Sequence, residues 1–174
     1  MKYLTLIRHA KSSWKEAGLC DFDRPLNKRG QRDLPGLAER ASHHLPRPDR
    51  LLFSPALRTS LTREPLVRAW QLQDDQCLAA PQAYEATAET LLQLLQDTPD
   101  AINHLVLVGH NPGLSDLTAL ISGQPMDYFP TSAFAHLSLD LEHWSTLTAG
   151  CGKLLQFDYP KLHAANTDEN QKSQ

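Results

Sequence analysis

The chain has 174 residues, enough for one domain with a single buried core and too few for two full ones. Hydrophobic residues make up 41% and charged residues 21%, an ordinary globular balance that excludes a natively disordered chain. The formal charge is −3 with no block of like charge, which argues against nucleic acid or an anionic membrane as the main partner.

Tyr3-Leu-Thr-Leu-Ile7 predicts a first strand that ends at Arg8-His9; it is too short for a signal or membrane segment. Apolar residues Leu34, Leu37, Ala38, Ala41 and Leu45 recur at helical spacing, and Pro46 and Pro48 stop that helix. Leu51-Leu-Phe53 predicts a second strand, followed by Ser54-Pro55 as a helix N-cap and Arg58 one turn into that helix. Ala88, Leu91, Leu92 and Leu95 predict another helix, just after Tyr84-Glu85. Leu105–Val108 predicts a third strand running into Gly109-His-Asn-Pro-Gly113, where Asn111-Pro112 repeats the N-cap punctuation. Ala135–Leu139 and Lys153–Tyr159 predict two late strands, the last reached through Gly150 and Gly152 and expected to run antiparallel at an edge. Strand and helix alternate, so the expected class is α/β, a mostly parallel central sheet with helices on both faces. Residues 1–160 are expected to form the domain and 161–174 a polar, disordered tail.

In such a sheet ligands bind beyond the carboxyl ends of the strands, where helix N-termini favour anions. Arg8, His9, Arg58 and His110 all sit there. Two guanidiniums and two imidazoles in one crevice make a phosphate pocket, because the planar Arg fork matches phosphate oxygens. A neutral His9 with its other ring nitrogen fixed is the candidate nucleophile on phosphorus, and the cations offset charge on the transferring group. Arg8, Arg58 and His110, the last if protonated, supply that charge, so no metal and no cofactor is expected. Lys11, Ser12 and Arg24 are candidate extra phosphate donors, and Trp14 either borders the pocket or anchors a loop. Singly, each of these residues is equally well read as a surface charge, a capped histidine or an ordinary glycine loop. Their conjunction in one chain is what carries the inference. The start of a nucleophile elbow at Gly113-Leu-Ser-Asp116 lacks its second glycine, and His43, His44, His104, His136, His143 and His163 lack metal-ligand spacing, so both rival chemistries are set aside. Cys20, Cys77 and Cys151 are odd in number and scattered, which fits a reducing, cytoplasmic setting.

Leu6-Ile-Arg-His-Ala-Lys-Ser12, Ser54-Pro-Ala-Leu-Arg-Thr59 and Val108-Gly-His-Asn-Pro-Gly113, in that order, resemble the histidine phosphatase superfamily and most closely its SixA-like phosphohistidine phosphatase branch. Asp21-Phe-Asp-Arg-Pro-Leu-Asn-Lys-Arg-Gly30 is similar to the segment that opens the family's first long helix. The resemblance, running from Lys2 to about Tyr159, implies a three-layer phosphoglycerate mutase-like fold. It also implies that His9 is phosphorylated and that Arg8, Arg58 and His110 hold the phosphoryl group. The family's proton donor is a carboxylate between the second and last motifs. Glu85 is the first candidate, Asp21 and Asp23 are alternatives, and two readings stay open: Glu85 as a plain helix-start carboxylate, and no acid at all, since SixA-like members do not all show one and a phosphoramidate leaving group needs less help. Two departures stand out: Ala10 replaces the usual glycine, and Arg63 follows Thr62 where an alanine is common. The expected function is a metal-independent phosphatase acting on phosphohistidine in a carrier or phosphotransfer protein. A small-molecule phosphomonoesterase and a non-catalytic phosphate-binding module are the alternatives.

Overall fold

The leucine- and valine-rich runs pair into one sheet in the computed structural model, which describes residues 1–164. The strands are β1 (Lys2–Arg8), β2 (Arg50–Phe53), β3 (Cys77–Ala79), β4 (His104–Gly109), β5 (Phe134–Leu139) and β6 (Gly152–Asp158), in the spatial order β3-β2-β4-β1-β5-β6. β1 to β4 pair in parallel, β5 is antiparallel to β1, and β6 is antiparallel to β5. The last strand lies at an edge and pairs antiparallel with β5, as expected, and β5 is itself antiparallel to β1. β3 went unpredicted because three residues with an exposed Leu78 leave no periodic signal.

Helices α1 (Lys28–His44) and α2 (Leu57–Trp70) cover one face, and α3 (Ala88–Gln96) and α4 (Gly113–Ser122) the other. The period of two in the strands decides which core each residue joins. In β4, Val106 and Val108 pack with Leu37, Ala41 and Leu66, whereas Leu105 and Leu107 pack with Leu91, Leu114 and Leu117. Each fully buried leucine in these layers stabilises the fold by roughly 1.5–3 kcal/mol, as an upper bound.

The parallel register sets the height of the strand ends. Val108 pairs with both Ile7 and Phe53, and Gly109 pairs with Arg8. His9, Ser54 and His110 therefore leave three adjacent strands at one level. The helices begin later than expected, α2 by two residues and α4 by one: Ala56, not Ser54, precedes α2, and Pro112, not Asn111, precedes α4. Ser54 Oγ accepts the Ala56 N–H at 3.4 Å without capping the helix itself, and Asn111 still accepts the Ser115 N–H at 3.3 Å through its side chain. The Asn111-Pro112 peptide bond is cis.

The start of α1 presses on the loop that follows β1. Asn27 caps this helix by accepting the Gly30 N–H at 2.8 Å, and its own N–H donates to the Lys11 carbonyl at 3.0 Å. A Cβ on Gly30 would stand 2.1 Å from that carbonyl oxygen, so only glycine permits the approach. Gly30→Ala is expected to push the 10–12 loop outward, cost about 1–3 kcal/mol of stability and weaken phosphate binding. Thermal unfolding with and without inorganic phosphate checks both effects.

Away from the strand ends, Thr5 Oγ1 lies 2.8 Å from both His104 Nε2 and His136 Nδ1, and all three residues are buried. These histidines are packing residues, as the sequence suggests. Burial, with the His136 charge opposing it further, lowers His104 to about 4. Between pH 6.5 and 4 the unfolded chain takes up a proton that the folded His104 refuses. Stability is therefore highest above pH 6.5 and falls by roughly 3 kcal/mol from this residue alone on reaching pH 4. Urea denaturation at pH 7.5 and 4.5 measures this, and His104→Gln should shrink the difference.

Of the expected tail, Lys161–Ala164 form a helical turn instead, with His163 Nε2 at 2.7 Å from Asp158 Oδ1. Residues 165–174 lie outside the described residues.

Candidate active site

Arg8, His9, Lys11, Ser12, Trp14, Asp21, Arg24, Arg58, Glu85 and His110 line one pocket of about 250 Å³, together with Asn111 and Thr131. All the candidate residues named from sequence converge there except Asp23, which is exposed and accepts a contact from Cys20 Sγ at 3.0 Å. Asp23 is thereby removed as a rival acid.

His9 is 6% exposed, and its Nδ1 stands 2.7 Å from its neighbour's carbonyl, Ala10 O. A carbonyl only accepts, so Nδ1 carries the proton and Nε2 keeps its lone pair. Burial, with the charges of His110, Arg58 and Arg8 adding to it, lowers His9 to about 3, against the raising effect of the Ala10 bond. The ring is neutral at physiological pH, the state a nucleophile requires. Ala10 is fully buried, and its backbone is not in the left-handed region, so the replacement of glycine costs no strain. Its N–H donates to Thr62 Oγ1 at 3.0 Å, and that hydroxyl donates to Arg58 O at 2.6 Å. Thr62 thus ties the peptide that orients His9 to the helix that carries Arg58.

His110 lies with its ring centroid 5.4 Å from that of His9, and its Nε2 is 2.8 Å from Ser54 Oγ. Burial and the Arg58 charge lower it to about 4. His110 is therefore neutral in the free pocket, so the protonation on which its positive charge is conditional is not met there. The cationic charge comes from Arg8, Arg24, Arg58 and Lys11. Arg8 donates from Nη1 to Phe129 O at 2.8 Å, while its buried Nε has no partner among the described residues.

Arg58 donates from Nη1 to Asp21 O at 2.7 Å and from Nη2 to Asp21 Oδ2 at 3.0 Å. Asp21 also accepts from Arg24 Nε at 3.0 Å and from the Tyr84 hydroxyl at 2.7 Å. Burial raises the Asp21 carboxyl, but the bonds from Tyr84, Arg58 and Arg24 outweigh it and hold the group well below the usual carboxylate range. A carboxyl held ionised so firmly is a poor proton donor, so Asp21 is a positioning anion. Tyr84, bonded to it, is pushed up to about 12. Arg24 reaches Ser12 Oγ at 2.5 Å and covers the Trp14 ring at 3.6 Å from its centroid, so Trp14 borders the pocket through a cation–π contact. Glu85 is exposed on the rim with φ 48°, a left-handed backbone uncommon outside glycine. The side-chain cap of α3 is Thr87, and Glu85 lies two residues before it.

A solved structure from Agrobacterium tumefaciens, named a candidate phosphohistidine phosphatase SixA, is 30% identical to this chain and superposes with a TM-score of 0.78 over 91% of this chain and 98% of its own. The sequence model of the histidine phosphatase superfamily (branch 1) matches residues 4–79. The chain belongs to the histidine phosphatase superfamily. Within it the chain is similar to the SixA-like branch, and membership identifies the chain as a phosphatase. An uncharacterized protein of Mycobacterium tuberculosis is 32% identical over 165 residues, 89% of this chain and 100% of that one. The protein histidine phosphatase SixA complexed with tungstate matches with a TM-score of 0.78 at 23% identity over 92% of this chain and 98% of its own, a likeness of fold.

Sequence reading missed Ser54, Thr62 and Tyr84 as supports of this histidine phosphatase site. Thr62 follows Arg58 at i+4, which puts both on one helix face, and that spacing was a usable signal. Tyr84 reaches Asp21 across 63 positions and left none.

Proposed function

We propose that the protein is a metal-independent phosphohistidine phosphatase acting through a covalent phosphoryl group on His9. The support is the His9 ring, fixed through Nδ1 on Ala10 O, with a neutral Nε2 beside Arg8 and Arg58. Nε2 attacks phosphorus and forms a P–N bond as the bond to the leaving nitrogen breaks. The leaving group keeps that electron pair and takes a proton from Glu85. Water then attacks phosphorus, gives its proton to the Glu85 carboxylate, and breaks the P–Nε2 bond to release inorganic phosphate. Arg8, Arg58, Arg24 and Lys11 bind the phosphoryl oxygens, with His110 and Ser12 as further contacts.

A phosphorylated side chain of another protein fits a pocket with buried His9, Arg58 and His110 and an exposed Glu85 at its rim. Three free cysteines suit a reducing cytoplasm, and among the described residues no helix is long and apolar enough to cross a membrane. The test is one comparison of phosphohistidine protein, phosphoserine peptide and small phosphate esters. The expected result is the highest kcat/KM on phosphohistidine. Preference for a small ester would overturn the protein substrate, and binding without turnover on any of them would leave a phosphate-binding module. The small-ester alternative draws support from a neighbouring cavity of small-molecule size, about 560 Å³. Because the pocket supplies its own cations, EDTA is expected to leave the rate unchanged. Loss of activity restored by magnesium or zinc would overturn that step.

A further inference from the structure

The 560 Å³ cavity opens beside the phosphate pocket, and Glu85, His110 and Asn111 line both. Its chemistry is the reverse of its neighbour's. Glu85, Glu89 and Asp116 bring three carboxylates, and Ala86, Ala88, Pro112 and Leu120 bring apolar wall. Among the described residues none of these carboxylates has an ion-pair partner within 4.0 Å. Glu89 and Asp116 stand in the first turns of α3 and α4, where acidic side chains offset the helix dipole. Glu85 lies outside any helix, is the acid of the proposed reaction, and stands where the two pockets meet. His110, 6% exposed and lining both pockets, has an Nδ1 without a partner among the described residues, a polar atom left for a ligand where the pockets join. The cavity wall is rigid: a Cβ on Gly113 would stand 2.2 Å from Ala86 O, so α4 and the 85–87 loop meet backbone to backbone.

Resting on the phosphohistidine reading above, we propose that this cavity is the substrate's second subsite and takes a polypeptide segment with lysine or arginine near the phosphohistidine. Carboxylates around an apolar wall match a cationic head on an aliphatic stem. In an extended segment alternate side chains stand roughly 7 Å apart, which lets one enter the cationic pocket and the next but one the acidic cavity. The pair of pockets reads a phosphoryl group next to a positive charge, and an acidic flank is repelled.

Calorimetry on the full chain tests this with three peptides carrying a non-hydrolysable phosphonate analogue of phosphohistidine, with Lys, Ala or Glu two residues on either side. The Lys peptide is expected to bind about tenfold tighter than the Ala peptide, and the Glu peptide more weakly than both, with the spread shrinking in high salt. Glu89→Lys with Asp116→Lys should invert that order while aryl phosphate hydrolysis stays at the wild-type rate. Should that variant fail to fold, Glu89→Gln with Asp116→Asn should abolish the preference. Equal affinities in the wild type, no binding of any peptide, or an unchanged Lys preference in a folded variant would overturn the subsite. Failure of the phosphatase reading shows separately, as absence of phosphate release, because the phosphonate affinities do not depend on turnover.

Discussion

His9→Ala is expected to lower phosphate release by a factor on the order of 10⁴ or more, because it removes the attacking atom and not a helper. The protein should remain folded. His9 follows β1 at its carboxyl end, its long-range hydrogen bonds are made by its backbone, and among the described residues its ring bonds the carbonyl of the next residue, so no long-range contact of the sheet depends on the ring's polar atoms. Its burial predicts a modest loss of stability from the cavity left beside His110. Quenching the wild type during turnover should give a phosphoryl label that is lost in acid and kept in base, and His9→Ala should give none. A near wild-type rate in His9→Ala would overturn the covalent mechanism. The lowered proton affinity of the ring adds a second check. His9 falls to about 3, so its nucleophilic form persists well below pH 6, and an acid limb in kcat/KM near pH 6 is not the titration of His9.

The fold was legible because the strands carry their own signal. Leu4, Leu6, Leu105 and Leu107 face one core and Ile7, Val106 and Val108 the other, so the runs read as buried strands between helical stretches. The reversal at β5 was not legible, because strand direction is set by the connection and pairing and not by the strand's residues. At the site, Arg8, His9, Arg58 and His110 could be named from their positions at strand ends and helix starts. Their supports could not. Ser54 looked like a cap and serves His110, and Asp21 looked like a candidate acid and serves Arg58 and Arg24. A short polar side chain has many possible local partners, and only the folded chain decides whether it bonds a neighbour in sequence or one in space.

Arg58→Ala is the second variant with a large expected effect, and here charge and geometry separate. The guanidinium is 4% exposed and grips Asp21 through two nitrogens, which aims the fork at the pocket beside His9. Removing it takes away one donor set for the phosphoryl oxygens, and a fall in kcat/KM of roughly 10²–10³ follows from losing one preorganised transition-state contact. Arg58→Lys keeps the charge but loses the planar fork, so it should recover part of that loss. Stability reports the other role of the residue. Asp21 is held ionised in the folded state by Tyr84, Arg58 and Arg24, so its contribution is present above the unfolded carboxyl value near pH 4 and is lost as pH falls through the lower folded value. In Arg58→Ala that contribution shrinks, so urea denaturation should give a lower stability at pH 7 and a shallower loss between pH 4 and 2.5 than in the wild type. A fully active Arg58→Lys would make the fork unnecessary. An unchanged acid profile in Arg58→Ala would instead remove Asp21 from the network and leave Arg58 as a phosphate contact alone.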